Sequence, residues 1–309
     1  MKHNTIVRSE WIGYLYVGPW ILGFTLFVAG PMFVNLIMSF SSWNLFEPFQ
    51  WIGIDNYRVV FTDDPVFWIV LRNTFLWVVV ANGIQVILAL VAANALAGQR
   101  RGAGLMRTLW YAPSLVPTVA LGIVMGFIFS GSPNGVANAI VRFFGLPSVG
   151  WLTNTRTALP TAIFTNIWFL GPAMTIFLAA ISGIPRDYYD AARIDGASAV
   201  RTFFSVTIPL ISSVILFNAV IAVITGWQVY DNILPLTAAA DASLAAPYGR
   251  EYSLGVYLIH IHQNAFRRFE LGYAAALSVV LFIVVMLSTV TVFRFARSRS
   301  SYYEEYNRG

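Results

Sequence analysis

Cysteine, lysine and histidine, which often act as nucleophiles, phosphate-binding groups or metal ligands, are absent or rare in this 309-residue chain. The chain has no cysteine, which excludes disulfides, thiolate metal sites and cysteine nucleophiles. Its one lysine, Lys2, does not lie in a glycine-rich turn, so the chain lacks a standard phosphate-binding loop for ATP. His260 and His262 would need a third ligand to bind a metal, and their setting favours an external amphipathic segment instead. From these residues we expect no metal site and no ATP-binding loop in this chain.

The composition is that of a membrane protein. Hydrophobic residues make up 58% of the chain and charged residues 11%, against roughly 45–50% and about 25% in soluble domains. Six runs carry no charge, and each is at least as long as the roughly 20 residues that cross a bilayer as a helix. The sequence thus predicts an all-α transmembrane bundle, as a single domain over 1–309, with six spans near 12–40, 68–97, 108–130, 157–182, 203–227 and 271–294.

The distribution of basic residues predicts how the spans are oriented. Of the 19 lysines and arginines, 12 fall on the side that bears both termini. Because basic residues are enriched in cytoplasmic segments, we expect both termini in the cytoplasm. The net charge of +5 thus reflects orientation in a membrane rather than binding to nucleic acid.

The spans contain neutral polar side chains but essentially no ionisable ones, which disfavours an ion-coupled carrier. Two interpretations stay open. The polar groups could join packed helices by hydrogen bonds, or they could line a path for an uncharged solute rich in hydroxyl groups. The second interpretation gives as candidate pathway residues Asn166, Trp168, Asn218, Thr225, Trp227, Tyr230 and Ser278.

The predicted cytoplasmic segment between the fourth and fifth spans, residues 184–198, carries the signals of two short capped helices. Pro185 suits a first helical turn, and Asp187 would lie near the positive end of the helix. Arg186 and Asp190 are spaced for an i,i+4 ion pair. Gly196 can end the helix in a left-handed conformation, and Ser198 can cap the next helix.

One face of the first short helix is expected to carry Tyr188, Ala191, Ala192 and Asp195. Two alanines on that face would let another protein approach the backbone closely. The alternative is an anchor on the inner leaflet, which would need a broader apolar face and more basic residues. We therefore favour a protein-docking helix near 186–196.

The same segment resembles a known family. Asp190-Ala191-Ala192, then Gly196 and Ile208-Pro209, are similar in type and spacing to the EAA motif of the membrane subunits of binding-protein-dependent ABC importers. The run 191–198 is typical of the carbohydrate-uptake branch. The segments 53–57 and 272–278 agree with this resemblance, which covers nearly the whole chain. A departure lies at 236–241, where alanines and Asp241 replace a glycine-rich run of the family.

The resemblance implies a type I importer permease, similar to the first permease subunit of maltose-type and glycerol-phosphate-type systems. Its partners would be a second permease, two copies of a cytoplasmic ATPase that holds ATP and magnesium, and an extracytoplasmic solute-binding protein, in the cytoplasmic membrane of a bacterium or archaeon. The expected cargo is a sugar or oligosaccharide. Glycerol 3-phosphate or another non-sugar solute is the alternative, and an ion-coupled carrier or a channel is a remote one. The residues that the resemblance assigns to ATPase coupling are Tyr188, Asp190, Ala191, Ala192, Asp195, Gly196 and Pro209.

Overall fold

The computed structural model describes residues 3–98, 102–240 and 247–306. Within these ranges, side chains are described for residues 14–295. Nearly all of these residues are helical, and no strand occurs among them beyond one isolated antiparallel bridge between Ser41 and Trp51. The predicted all-α fold is therefore confirmed.

Among the residues that the structure describes, three helices are long and apolar enough to cross a bilayer without a break. They are Tyr14–Met38, Phe67–Ala97 and Leu271–Phe295, with mean hydropathies of 2.0, 2.3 and 2.6. We call them span 1, span 2 and span 6. Each exceeds the roughly 20 residues that the hydrocarbon core requires. Span 6 is the apolar part of a helix that runs over Leu271–Tyr306.

Three further pairs of helices satisfy the same length and hydropathy criteria only when each pair is taken as one span. Each break lies at or near a proline, which favours a break because it removes a backbone donor and clashes with the preceding turn. These prolines are Pro117, Pro172 and Pro209. With each pair taken as one, the described residues hold up to six spans. We call the pairs spans 3, 4 and 5, and their halves meet at bends of 97°, 45° and 75°: Ala103–Leu115 with Thr118–Ile128, Ala158–Phe169 with Gly171–Ser182, and Ala199–Leu210 with Ser212–Trp227.

Shorter helices connect the spans. They are Asp55–Arg58, Val136–Phe143, Arg186–Ile194, Leu234–Ala240 and Tyr257–Phe266. Four wide π-helical turns, Thr25–Ala29, Val59–Asp63, Trp77–Asn82 and Phe203–Thr207, interrupt the regular α-helical register.

Internal packing divides the chain into two compact units, of which the first comprises Met1–Asp64 and Ile261–Val280. In it, Asn56 donates from its amide to the carbonyls of Ser39 and Ser41, at 2.9 and 2.8 Å. The amide of Gly272 donates to the carbonyl of Trp43, and a Cβ at Gly272 would overlap the carbonyl oxygen of Ser41. Two segments that carried the family resemblance, 53–57 and 272–278, thus serve to join the end of span 1 to the start of span 6.

The second unit comprises Pro65–His260 and Leu281–Gly309. Its principal apolar core packs the second half of span 2 against the second half of span 4. Small alanines of span 2 lie beside larger side chains of span 4, and the buried members of this core are Ala89, Ala92, Ala93, Leu96, Met174, Phe177, Leu178, Ile181 and Ile211. Small side chains allow helices to approach closely in a membrane, where van der Waals packing stabilises helix pairs.

The helix Leu234–Ala240 packs on span 3 of the same unit through two glycines. A Cβ at Gly122 would lie 2.9 Å from the Cβ of Pro235, and one at Gly126 would lie 2.7 Å from the Cβ of Ala239. Both distances are below ordinary van der Waals contact, so glycine is required at both positions. This is the close helix approach that a small-xxx-small pattern allows.

Candidate functional site: the capped hairpin and a buried amide cluster

The segment 185–202 forms a compact pair of helices, which we call the capped hairpin. Its first helix, Arg186–Ile194, follows Pro185 and carries Asp187 in its first turn and Arg193 in its last. Gly196 has φ +71, and the amide of Ala197 donates to the carbonyl of Ala192 at 2.9 Å. These are the features of a helix that ends in a left-handed residue.

The second helix of the capped hairpin, Ala199–Thr202, is the beginning of span 5. The Ser198 hydroxyl accepts a hydrogen bond from the amide of Arg201 at 3.3 Å, which is an N-cap. Tyr189 and Thr207 place their hydroxyl oxygens 3.3 Å apart, so the first helix is also linked to span 5. The hairpin is therefore held to the membrane part of its own chain at both of its helices.

The ion pair of the first helix differs from the expected one. Asp190 pairs with Arg193 at 3.0 Å, an i,i+3 pair, and both side chains are exposed. Helical side chains lean toward the N-terminus, which brings Arg193 back over Asp190. At this exposure we expect the pair to contribute little to stability.

The predicted coupling residues divide into exposed and enclosed ones. Tyr188 is 52% exposed, and Asp190, Ala191, Asp195 and Gly196 are exposed as well. Ala192 is only 9% exposed and faces its own chain. Pro209 is partly buried beside the break of span 5.

The surface of the hairpin also includes apolar side chains that the sequence analysis did not single out. Ile194 is 86% exposed, and Val200 and Phe204 are exposed nearby in the chain. The available signal was an apolar residue in the last turn of an otherwise polar helix. Large apolar side chains left exposed on a small helical element are typical of an interaction surface.

A second constellation lies within the spans and consists of four neutral amides, Asn82, Gln85, Asn166 and Asn232. We call it the amide cluster. The amide nitrogen of Asn166 donates to the side-chain oxygens of Asn82 at 3.1 Å and of Gln85 at 3.3 Å. The Asn166 side-chain oxygen accepts from the amide nitrogen of Asn232, also at 3.3 Å. Asn82 and Asn166 are buried, so hydrogen bonds to other protein groups replace those to water.

Two of these amides also bond to backbone carbonyls. Asn82 donates to the carbonyl of Ala222 on span 5 at 2.6 Å. Gln85 donates to the carbonyl of Phe169 at 2.8 Å. Asn82 ends the π-helical turn of span 2, and Asn166–Phe169 is a 3₁₀ turn at the break of span 4. Both are irregular turns of the kind that recurs at functional positions.

The seven candidate pathway residues have different surroundings. Asn166 is 4% exposed within the amide cluster, whereas Trp168, two residues further on, is 49% exposed. Asn218 is buried and donates to the carbonyl of Val214, while Thr225 is exposed and donates to that of Ile221. The structure thus brings Asn166 together with three amides and leaves Trp168 and Thr225 open.

The remaining candidates are Trp227, Tyr230 and Ser278. Trp227 is buried, and its indole nitrogen donates to the hydroxyl of Ser288 on span 6 at 3.1 Å. Tyr230 is half-buried beside the turn that carries Asn232. Ser278 belongs to the first unit and donates to the carbonyl of Ala274 in its own helix.

Of the two histidines considered as metal ligands, His260 has a defined hydrogen-bond partner. His260 is buried, and its Nδ1 lies 3.0 Å from the hydroxyl of Tyr248. The neighbouring backbone is tied to span 2, where Asn73 donates to the carbonyls of Tyr252 and Gly255 at 3.0 Å. His260 therefore belongs to the packing of the 247–260 segment.

The described residues thus hold up to six apolar spans with a capped helical hairpin between the fourth and fifth, the arrangement of a multi-pass membrane protein. Residues 85–299 match the family described as binding-protein-dependent transport system inner membrane component, and the chain belongs to this family. The family consists of permease subunits, which are not themselves catalysts.

Relatives match over nearly the whole chain. The probable ABC transporter permease protein YesP of Bacillus subtilis is 33% identical over 99% of this chain and 95% of its own length. The lactose transport system permease protein LacF of Rhizobium radiobacter is 30% identical, over 93% and 94% of the two chains. The arabinooligosaccharides transport system permease protein AraP of Halalkalibacterium halodurans is 28% identical, over 91% and 86%.

The fold is shared with solved structures of importers. A chain from a bacterial ABC transporter involved in the import of the acidic polysaccharide alginate superposes with a TM-score of 0.80, at 22% identity, over 96% of this chain and 99% of the other. A chain from the alginate transporter in complex with an oligosaccharide-bound periplasmic protein gives a TM-score of 0.81 at 20% identity. The predicted permease fold is therefore confirmed.

Proposed function

We propose that this chain is one of two permease subunits of an ATP-driven importer that carries a sugar or oligosaccharide into the cytoplasm. Its partners are a second, similar permease, two copies of a cytoplasmic ATPase and an extracytoplasmic solute-binding protein. ATP and magnesium are bound by the ATPase, and the assembly lies in the cytoplasmic membrane of a bacterium or archaeon. The capped hairpin carries the proposal, because an exposed, rigidly held helix is what a motor subunit needs to move a permease.

The choice of cargo is supported by the chemistry of the spans and by the relatives. The spans hold amides, hydroxyls and indoles, and the arginines within their ranges lie within five residues of a span end: Arg72, Arg107, Arg201 and Arg294. A span interior without charged groups suits a neutral polyol better than an anion, since anion sites use arginine or lysine. The names of several relatives include arabinooligosaccharides, lactose and starch degradation products. Trp168 and Thr225, the exposed members of the candidate set, are the residues that we assign first to the solute path.

A non-sugar solute is the second candidate. A relative from Synechocystis, 29% identical, is named an osmoprotective compounds uptake permease. An importer with the same subunits would transport such a solute, and only its solute-binding protein and the residues that line the solute path would differ. Glycerol 3-phosphate is a charged member of this class.

Deletion of the gene, followed by uptake assays with labelled solutes, tests the proposal. We expect the deletion strain to lose uptake of at least one neutral oligosaccharide from an arabino-, galacto- and gluco-series, and to regain it on complementation. Loss of glycerol 3-phosphate uptake alone would favour the second candidate. Unchanged uptake of every solute, with the ATPase partner present, would contradict both.

The assignment of hydrolysis to a partner is tested separately. Purified chain alone should neither bind nor hydrolyse ATP, whereas the complete assembly should hydrolyse it when the loaded solute-binding protein is added. Stoichiometric hydrolysis by the chain alone would contradict the proposal.

A further inference from the structure

A side chain of span 2, Gln85, lies beside the break in span 4. Gln85 donates to the carbonyl of Phe169 at 2.8 Å and accepts from the amide of Asn166 at 3.3 Å. It therefore contacts both ends of the 3₁₀ turn Asn166–Phe169. A broken helix has backbone groups without helical partners, and in a membrane they need another protein group to bond to.

The other amides extend this connection in two directions. Asn82 links the turn to span 5 through the carbonyl of Ala222 at 2.6 Å. Asn232 links it to the turn that precedes the helix Leu234–Ala240. Gly226 is needed beside them, since a Cβ there would lie 2.5 Å from the amide nitrogen of Asn82.

The amide cluster lies at a mechanically important place in the chain. The second half of span 4, Gly171–Ser182, packs along span 2 and ends four residues before the first helix of the capped hairpin. On the other side, the helix Leu234–Ala240 begins two residues after Asn232 and sits against Gly122 and Gly126 of span 3. A displacement that begins at the hairpin can reach the 230–240 segment by two routes, of which one passes the break of span 4 and the other follows span 5.

We propose that the amide cluster is the joint that transmits this displacement, with Gln85 and Asn232 as its positioning residues. Without the cluster, the break would absorb the movement of Gly171–Ser182 as a change of bend angle. With it, the 3₁₀ turn is fixed at both ends, so the movement reaches Asn232 and the helix that follows. This inference rests on the proposed function, since it assigns a part to these residues in ATP-driven import.

The chemistry of the cluster suits a joint that works inside a membrane. All four side chains are neutral, so no buried charge is exposed or neutralised when partners are exchanged. Each amide has both donors and an acceptor, so one amide can release one partner while it keeps another. An apolar contact has no directional bond and would let the helices shift past each other. An ion pair would be costly to separate inside the membrane.

The test compares Gln85→Met, Asn232→Leu and the double variant in the complete transporter, reconstituted in lipid nanodiscs and in vesicles. We expect each single variant to lower receptor-stimulated ATP hydrolysis and the maximal rate of uptake about three- to tenfold, the effect of losing one or two hydrogen bonds of ordinary net strength. Basal hydrolysis and the KM for solute should not change. The double variant should fall little further than either single one, because both interrupt the same joint.

Ile87→Met, on the exposed face of the same helix, is the matched control and should behave as the wild type. Wild-type stimulation and uptake in both single variants would overturn the inference, and so would a raised KM with an unchanged maximal rate, which would indicate contact with solute. Loss of assembly in both variants would also overturn it, by making the cluster a folding element. If the wild type itself takes up no sugar, it is the proposed function that fails.

Discussion

The capped hairpin and the amide cluster differ in their exposure and in the sequence distance over which their interactions act. The hairpin is exposed, and its shape follows from local signals: Pro185 before the first helix, Gly196 with φ +71 after it and Ser198 as the next cap. The amide cluster is enclosed, and the hydrogen bonds between its four side chains join residues that are 66 to 84 positions apart in the chain. A part that must meet another protein can be specified locally, whereas a part that joins spans depends on the whole fold.

This contrast predicts that the hairpin is most sensitive to changes of backbone conformation. Gly196→Val should have the largest effect of those considered, because positive φ costs a non-glycine residue about 1–2 kcal/mol and a β-branched residue more. The hairpin would be redirected, and receptor-stimulated hydrolysis in the reconstituted assembly should be lost. Membrane insertion should persist, since no span residue is altered.

Gly98→Val is the matched control. Gly98 also has open space around it, but its φ of −84 is accessible to any residue. It should retain coupling. Equal loss of coupling in both variants would indicate that added bulk, rather than the left-handed turn, is responsible.

Two adjacent alanines separate packing from docking within the hairpin. Ala192→Trp should destabilise the permease, because Ala192 is enclosed by its own chain and overpacking costs about 1–3 kcal/mol. Ala191→Trp, at an exposed position, should leave thermal stability unchanged and weaken ATPase association. Thermal unfolding of the purified permease and co-purification of the ATPase measure the two effects. If Ala192→Trp also leaves stability unchanged, the hairpin is not packed as described.

The sequence was sufficient for the features that depend on local patterns. Uncharged runs predicted an all-α membrane bundle, and both the helix and the turn at Gly196 followed from nearby residues. It was not sufficient for the burial of Ala192, because Ala191 and Ala192 are alike in chemistry and differ only in whether the folded chain covers them. Nor could it pair Asn166 with Asn82 and Gln85, since any polar side chain in a span is equally able to bond to any neighbouring helix.

The amide cluster predicts a smaller effect from a small substitution. Gly226→Ala places a Cβ 2.5 Å from the amide nitrogen of Asn82, so Asn82 must shift away from the carbonyl of Ala222. We expect a loss of stability of about 1 kcal/mol, the net contribution of one hydrogen bond, and a several-fold lower stimulated hydrolysis. Gly83→Ala, in the same region of span 2 but with open space around it, is the control. An unaffected Gly226→Ala variant would show that the cluster has room to rearrange.

The smallest expected effects concern the path of the solute, and span 5 offers a matched pair of residues for them. Thr225 and Asn218 each donate to a carbonyl four residues earlier in the same helix, at 2.8 and 3.0 Å, but Thr225 is exposed and Asn218 is buried. Because their local bonding is alike, the difference between their variants reports on access to solute.

Thr225→Val keeps the shape of the side chain and removes one hydroxyl, which should raise the KM for uptake about three- to tenfold if that hydroxyl bonds to solute. Asn218→Ala should leave KM within about twofold, because an interaction of this kind in a membrane averages about 0.6 kcal/mol and this one lies within a single helix. Concentration-dependent uptake into vesicles measures both. A raised KM for Asn218→Ala with none for Thr225→Val would mean that the solute reaches the buried face of span 5, so that this face must open during transport.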